Sequence, residues 1–312
     1  MTITVLVLSV DEAPLLEQCL DAIVGQPDTS VVVVDNACTD ATPEVAARHG
    51  ARVLRLGRRQ SYAAAMNAAI AATGGEAVLL LNADCLVGDG FVAALRAALD
   101  SDARIGSVAP RLMRSVDADE IDAAGITVDK RRKNLLVGHG APASAYATPG
   151  PAFGGDGAAV LWRRAALEDC AVGAEALDED MALWATESDL AWRAQLRGWR
   201  CVYEPRAVAR HVRTYSPSTP REQLAAGHRR MQFRNRLLMA YKNETASGAL
   251  RDLPWIAGYE IAALGFALLR ERELLGAYRE AWALRAGARR RRAVVQARRC
   301  VRRPPFGLAP PA

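Results

Sequence analysis

Two apolar runs in this 312-residue chain end in oxygen-bearing side chains, and a third stretch sets carboxylates near a helix start, where a fold can gather them. In AVLLLNADCLV, residues 77–87, Asn82 and Asp84 follow the apolar run at a spacing of two, with Asp89 close behind. Two such side chains suit a hard cation that itself holds phosphates, although a polar turn uses the same residue types. In VVVVDNACTD, Asp35 can accept a hydrogen bond from a pyrimidine N3–H or a ribose hydroxyl, or it can close an Asx-turn at a strand-to-helix junction. DEDMALWATESDLAWR, residues 178–193, sets Glu187 and Asp189 near the start of a helix, whose dipole stabilises carboxylates. His211, in RHVRTYS, lies between strand-like residues and a Thr/Ser/Tyr turn, and is open to a structural or a ligating role.

The elements that must position these groups follow from periodicity. Thr2 to Val10 reads as a strand ending near Ser9, Pro14 to Val24 as a helix, Val31 to Val34 as a strand, and Thr42 to Gly50 as a helix with proline in its first turn. Ala51 to Leu56 continues as strand and Tyr62 to Ala72 as helix, before the buried strand that ends at Asn82. This β-α-β-α-β-α-β order predicts a largely parallel, doubly wound α/β sheet, whose ligands sit outside the carboxyl ends of the strands. Phe91 to Leu99 and Gly106 to Leu112 add a helix and a strand. Residues 114–157 predict a long irregular insertion of the kind that serves as a lid or acceptor loop. A strand over Ala158 to Trp162, helices near 164–168 and 182–197, and two short extended pieces, 201–203 and 207–209, lead to His211. Beyond Thr219 the pattern becomes helical and Arg-rich, so the chain divides into a catalytic part, 1–220, and a helical extension, 221–312.

Composition narrows the function. The chain is 51% hydrophobic and 24% charged, which is globular, and its six scattered cysteines fit thiols in a reducing compartment. The first apolar run has no cationic lead, so no signal peptide is expected. Nine arginines lie between Arg285 and Arg303; removing their charge from the net +5 leaves residues 1–284 near −4. A generally basic, nucleic-acid-binding body is therefore not supported, and no nucleic-acid partner is expected. The strands are followed by neither G-x-G-x-x-G nor a Walker A loop, which disfavours dinucleotide oxidoreductases and P-loop ATPases. A sugar nucleotidyltransferase would want a Gly-rich, basic loop after the first strand, and Leu8 to Leu16 has neither glycine nor a basic residue.

Together the motifs resemble the family 2 inverting glycosyltransferases, especially their bacterial rhamnosyltransferase-like branch. VVDNACTD resembles the family's V-D-N-A-S-x-D strand, and LLLNADC its L-N-P-D variant of the D-x-D metal motif. GGDGAAVLWRRAALEDCAVGAEALDED resembles its G-A-x-x-L-x-R-R-x-A-L…G-x-F-D-E segment. ATESDLAWRAQLRGWRCVYEPRAVARH runs without gaps along Y-E-D-V-D-L-A-W-R-x-R-x-x-G-W-R-x-x-Y-x-P-x-A-x-x-x-H. The resemblance covers roughly residues 3–215.

It implies a GT-A fold with a C-terminal helical extension, and a metal-assisted transfer of a sugar, such as the deoxyhexose rhamnose, from a nucleotide-sugar donor to a glycan or lipid-linked acceptor. By position, Asp84 and His211 hold Mg²⁺ or Mn²⁺, and Ser9, Asp35, Arg59, Asn67, Asn82 and Asp84 bind the donor. Glu187 or Asp189 is the base that takes the acceptor proton. Two departures stand out. Thr186-Glu187-Ser188-Asp189 replaces E-D-V-D, so the base position holds a glutamate, one methylene longer. RQSYAAAMNAAI, residues 59–70, replaces N-x-G-F-A-x-x-N-N-x-G-I, which sets Arg59 where it can meet phosphate. The altered TESD block leaves a non-catalytic nucleotide-sugar-binding module as the rival reading. The apolar segment 253–269, interrupted by Glu260, reads as too short to span a bilayer. With Trp255, Tyr259, Tyr278, Trp282 and the arginines it predicts attachment to an anionic membrane, on the cytoplasmic face of the plasma membrane.

Overall fold

The computed structural model describes residues 2–115, 119–213 and 219–312. Its first half alternates strand and helix as the periodicity requires: β1 (Ile3–Ser9), α1 (Ala13–Ile23), β2 (Thr29–Asp35), α2 (Thr42–Arg48), β3 (Arg52–Arg55), α3 (Tyr62–Ala71) and β4 (Ala77–Asn82). These are followed by β5 (Cys85–Val87), α4 (Phe91–Asp100) and β6 (Ile105–Arg114). Residues 121–152 carry β7 (Ile121–Ala123), β8 (Ile126–Val128), β9 (Asn134–Leu136) and β10 (Gly150–Ala152). The chain returns through β11 (Ala159–Arg163), α5 (Arg164–Cys170), α6 (Thr186–Arg197) and β12 (Arg200–His211). It closes with α7 (Ala226–Asn243), α8 (Ala246–Leu269), α9 (Leu275–Ala283) and α10 (Arg285–Arg298).

The main sheet runs β10-β12-β6-β11-β4-β1-β2-β3. β1 pairs in parallel with both β2 and β4, so the winding reverses beside β1 and opens a crevice at its carboxyl end. β11 enters antiparallel between β4 and β6, which makes the sheet mixed. Every residue of β1 is buried, and β4 is buried from Ala77 to Leu81; a strand covered on both faces cannot alternate, which is why both read as apolar runs.

Three expectations need correction. The insertion is not irregular: β7 adds to the sheet edge beside β6, and β8 pairs β9 in a small second sheet. The two extended pieces before His211 are one strand, β12, whose register against β6 shifts between Glu204 and Val208. Helix α6 begins at Thr186 rather than 182, because Ala182, Trp184 and Ala185 hold left-handed backbone (φ 62°, 67° and 59°) in the turn before it. The turn expected after His211, residues 214–216, lies outside the described residues.

Candidate active site

Asp84 and His211 stand 127 positions apart in sequence, yet the sheet makes them near neighbours. β5 pairs antiparallel with the end of β12, so that His211 faces Cys85 across the ladder and Val212 N–H donates to the Asp84 carbonyl at 2.9 Å. The His211 Nε2 atom comes 3.4 Å from Asp84 Oδ1, while Nδ1 meets Asp122 Oδ2 at 2.9 Å. Burial alone would depress the imidazole pKa, but the bonds to Asp122 and Asp84 outweigh it and raise the pKa to about 9.

Asp122, carried by β7, extends the constellation. Arg213 donates to both its carboxylate oxygens (Nε at 2.9 and 3.0 Å) and to Asp156 Oδ2 at 2.8 Å. Burial would raise the Asp122 pKa, but His211 and Arg213 hold it below the usual carboxylate value. Asp156 in turn faces Glu187, whose pKa is raised because its carboxyl is desolvated, with the Asp156 charge adding to the effect. A continuous file of ionisable groups therefore runs Asp84, His211, Asp122, Arg213, Asp156, Glu187. Asp122, Asp156 and Arg213 were not singled out from the sequence. The first two sit in the aperiodic insertion, and Arg213 lies within RHVRTYS, where His211 alone drew notice.

The file could hold a divalent cation at one end. Asp84 offers a hard carboxylate oxygen and His211 an imidazole nitrogen, and Asp122 fixes the ring as a hydrogen-bonded carboxylate behind a ligating histidine does. This donor pair, completed by diphosphate oxygens and water, fits Mg²⁺ or Mn²⁺. Among the described residues one three-ligand cluster of another kind occurs, Asp11, Cys38 and Asp40. Its carboxylates are engaged with backbone amides, Asp11 with Thr39 (2.6 Å) and Asp40 with Ala13 (2.7 Å) and Thr42 (3.1 Å).

The remaining sequence candidates divide. Ser9, Asp35, Asn82 and Asp84 all come to the carboxyl ends of β1, β2 and β4, around the crevice. Ser9 shares a hydrogen bond with Thr42 (Oγ–Oγ1, 2.9 Å), and Asp35 accepts from Cys38 N–H at 2.8 Å and from Arg55 Nε at 3.2 Å. The Asx-turn is thus present, with Asp35 almost fully buried. Arg59 reaches Asp11 and the Ala37 carbonyl, spanning the loops after β1 and β2. Asn67 lies apart from the crevice: its amide donates to Leu177 O (2.8 Å) and Glu179 (3.0 Å) and accepts from Leu177 N–H (2.9 Å).

Asp189 also points elsewhere. Two residues along α6 from Glu187, it turns into the protein against Arg193 (3.2 Å), Lys242 (2.9 Å) and Asn243 (2.7 Å). Desolvation would raise its pKa, but the Lys242 and Arg193 charges hold it below the ordinary value. α7 supports the same turn from Asn235, whose amide faces the carbonyls of Met181, Leu183 and Trp184 at 2.7, 2.6 and 2.9 Å. Glu187 is thus presented by a strained turn that the C-terminal helices clamp.

Those helices also revise the reading of the membrane segment. α8 is 24 residues, not 17, with Pro254 inside it, and is long and apolar enough to cross a bilayer by length and composition. Its Glu260 turns inward to a bidentate pair with Arg236 (2.6 and 3.0 Å). The exposed residues between Leu253 and Leu269 are all uncharged, with Ile261 73% and Leu269 84% accessible. The arginine tail, expected to face an anionic membrane, is partly engaged inside: Arg291 pairs with Glu175, Asp178 and Asp180, and Arg292 donates to the Glu244 carbonyl.

Residues 4–153 match the model of the family described as Glycosyl transferase family 2. Over 253 residues, 72% of this chain and 81% of the relative, the sequence is 28% identical to an N-acetylglucosaminyl-diphospho-decaprenol L-rhamnosyltransferase of Mycobacterium tuberculosis. Over 74 residues, 24% of this chain, it is 40% identical to a TPR repeat-containing protein of Synechococcus elongatus, spanning 18% of that protein's length. Among solved structures it resembles a mannosyltransferase from Pyrobaculum calidifontis in complex with GDP-Man and Mn²⁺. That likeness has a TM-score of 0.54 at 22% identity, over 95% of this chain and 79% of that one, and it places the fold among GT-A proteins.

Proposed function

From the premise that residues 4–153 form a glycosyl transferase family 2 domain and that the chain is a glycosyltransferase, we propose an inverting transfer of a sugar from a nucleotide-sugar donor to a lipid-linked acceptor. The observation that carries this reading is the file from Asp84 to Glu187, which sets a cation-holding pair and a proton acceptor at opposite ends of one site. The donor lies in the crevice, with its base toward Asp35 and Ser9 and its diphosphate toward Asn82, Asp84 and Arg59. Asp84 and His211 hold Mg²⁺ or Mn²⁺, which when bound supplies Lewis-acid charge for the departing diphosphate. Glu187 takes the acceptor hydroxyl proton as that oxygen attacks the anomeric carbon from the far side. Its raised pKa suits a base that must hold a proton after the step. Asp189 and Asn67 serve as supports for the catalytic turn.

Rhamnose, or another deoxyhexose, on a diphospholipid acceptor is the substrate pair that the M. tuberculosis relative supports. Residues 1–220 carry the reaction. The helices of 221–312 brace it and lay the exposed face of α8 on the cytoplasmic leaflet, where such an acceptor resides. Arg251, Arg270 and Arg272 flank that face and suit anionic headgroups.

The test is transfer and stability together. UDP-, GDP- and dTDP-sugars are screened by thermal shift with and without Mn²⁺; the true donor raises the melting temperature by mass action, and more strongly with the ion. Transfer from that donor to a polyprenyl-diphosphate N-acetylglucosamine acceptor should follow and vanish in EDTA. Donor binding and transfer unaffected by EDTA would remove the metal from the site.

A further inference from the structure

Ser9, Asp35 and Arg55 stand in one row across the carboxyl ends of β1, β2 and β3, since Ser9 faces Asp35 and Asp35 faces Arg55 in the parallel ladders. β3 is the edge strand, so no further strand covers Arg55. Arg55 Nε donates to Asp35 Oδ2 at 3.2 Å, and the two partners differ in exposure: the Asp35 side chain is 2% accessible and that of Arg55 68%. An ordinary surface ion pair leaves both ends in water. Here a buried carboxylate, whose other oxygen accepts from Cys38 N–H at 2.8 Å, fixes the arginine by one nitrogen. Both Nη nitrogens of Arg55 are left without a partner among the described residues. A guanidinium is a rigid plane, so the anchored Nε sets the direction of the other two nitrogens. Leu56 N–H donates to the Asp35 carbonyl at 2.9 Å, which ties the two strand ends together just past that bond.

We propose that Arg55 is a specificity-determining residue which, together with Asp35, reads the base of the nucleotide donor. This rests on the donor's base lying toward Asp35, and it adds the group that decides which bases fit. Each carboxylate oxygen has two acceptor positions, and the bonds to Cys38 and Arg55 use one on each. The pair therefore offers an acceptor and, beside it, the free N–H groups of a fixed guanidinium. The complementary edge is a ring N–H next to a carbonyl. Uracil and thymine carry it at N3–H, with a carbonyl on either side, and guanine carries it at N1–H and O6. Cytosine and adenine lack the ring N–H. They set a lone pair against the carboxylate, with an amino donor in place of the carbonyl beside it, and so leave the charged pair unmatched. Arg55 is the exposed member, so a ligand entering from solvent meets its donors first. Arg59, which reaches Asp11 and the Ala37 carbonyl, takes no part in this pairing.

The experiment measures, by calorimetry with Mn²⁺ present, the affinities of UDP, dTDP, CDP, GDP and ADP for the full chain and for Arg55→Met, Arg55→Lys and Asp35→Asn. The unaltered protein should prefer a keto nucleotide over its amino counterpart, UDP over CDP or GDP over ADP. Arg55→Met keeps the aliphatic stem and removes the donors. It should weaken the keto nucleotide by roughly 10- to 10²-fold, the scale of a hydrogen bond to a charged group, and leave the amino one unchanged, so that the preference collapses. Arg55→Lys keeps the charge without the planar fork and should recover only part of it. A general loss of stability would lower both members of a pair alike, which separates recognition from folding. A preference that survives in Arg55→Met while Asp35→Asn weakens the keto nucleotide would overturn the proposal and leave the base at Asp35. Affinities unmoved in all three variants would instead overturn the placement of the base itself.

Discussion

At the scale of single residues, two carboxylates on one helix turn have opposite fates because their surroundings differ. Glu187 meets Asp156 and little solvent, so its proton is held more tightly than in an ordinary glutamate. The acid limb of kcat/KM should therefore lie above the usual glutamate range, and Glu187→Gln should lower kcat by about 10²–10⁴-fold with donor binding intact. Asp189 meets Lys242 and Arg193, and its folded-state pKa is depressed. Its stabilisation is then fully present above the unfolded value, near 3.9, and lost as pH falls through the folded value. Asp189→Asn should destabilise the fold by about 3 kcal/mol, since it takes the carboxylate from buried Arg193 and leaves Lys242 with Asp178 alone. Chemical denaturation at neutral pH checks this, and an unchanged midpoint would refute it. The resemblance set Glu187 at the base position and kept Asp189 as the alternative, because a spacing of two on a helix says only that they point different ways. Which way leads to solvent depends on α7, whose partners for Asp189 lie 53 and 54 positions further on.

Among elements, legibility followed periodicity. β1 to β4 and α1 to α3 were readable because short apolar runs mark buried strands, and helical spacing or a run of alanines marks the helices between them; the strands' carboxyl ends carry Ser9, Asp35, Asn82 and Asp84. The insertion was not readable. Its strands are three residues long, too short for any period to show, and Asp122 gains meaning only when β7 lies beside β6 and β12 brings His211 to it. Asn67 entered the donor-binding set through the family pattern over residues 59–70, and its partner Leu177, 110 positions away, shows only once the chain is folded. The clamp of α7 on the turn before α6 yields its own expectation. Asn235→Ala removes the amide that faces three carbonyls, and should lower kcat more than it changes donor affinity, as measured by steady-state kinetics and calorimetry. A loss confined to donor affinity would show that the turn does not serve Glu187.

For the whole molecule, the same contacts mean that the extension is not detachable. Deleting residues 221–312 strips Asp178 and Asp189 of Lys242, so the truncated chain should be insoluble or lack a cooperative thermal transition. Deleting nothing but replacing Ile261 and Leu269 with lysine should preserve folding and donor binding while abolishing sedimentation with anionic vesicles; persistent binding would take α8 out of the membrane contact. The clamp also has a direction in time. A chain is made from its N-terminus at about 5–20 residues per second, so Asp189 leaves the ribosome roughly 3–10 s before Lys242 exists to neutralise it. During that interval the crevice strands are complete, yet the turn that presents Glu187 has nothing to hold it. The newborn enzyme therefore gains a competent site only when its C-terminal helices arrive.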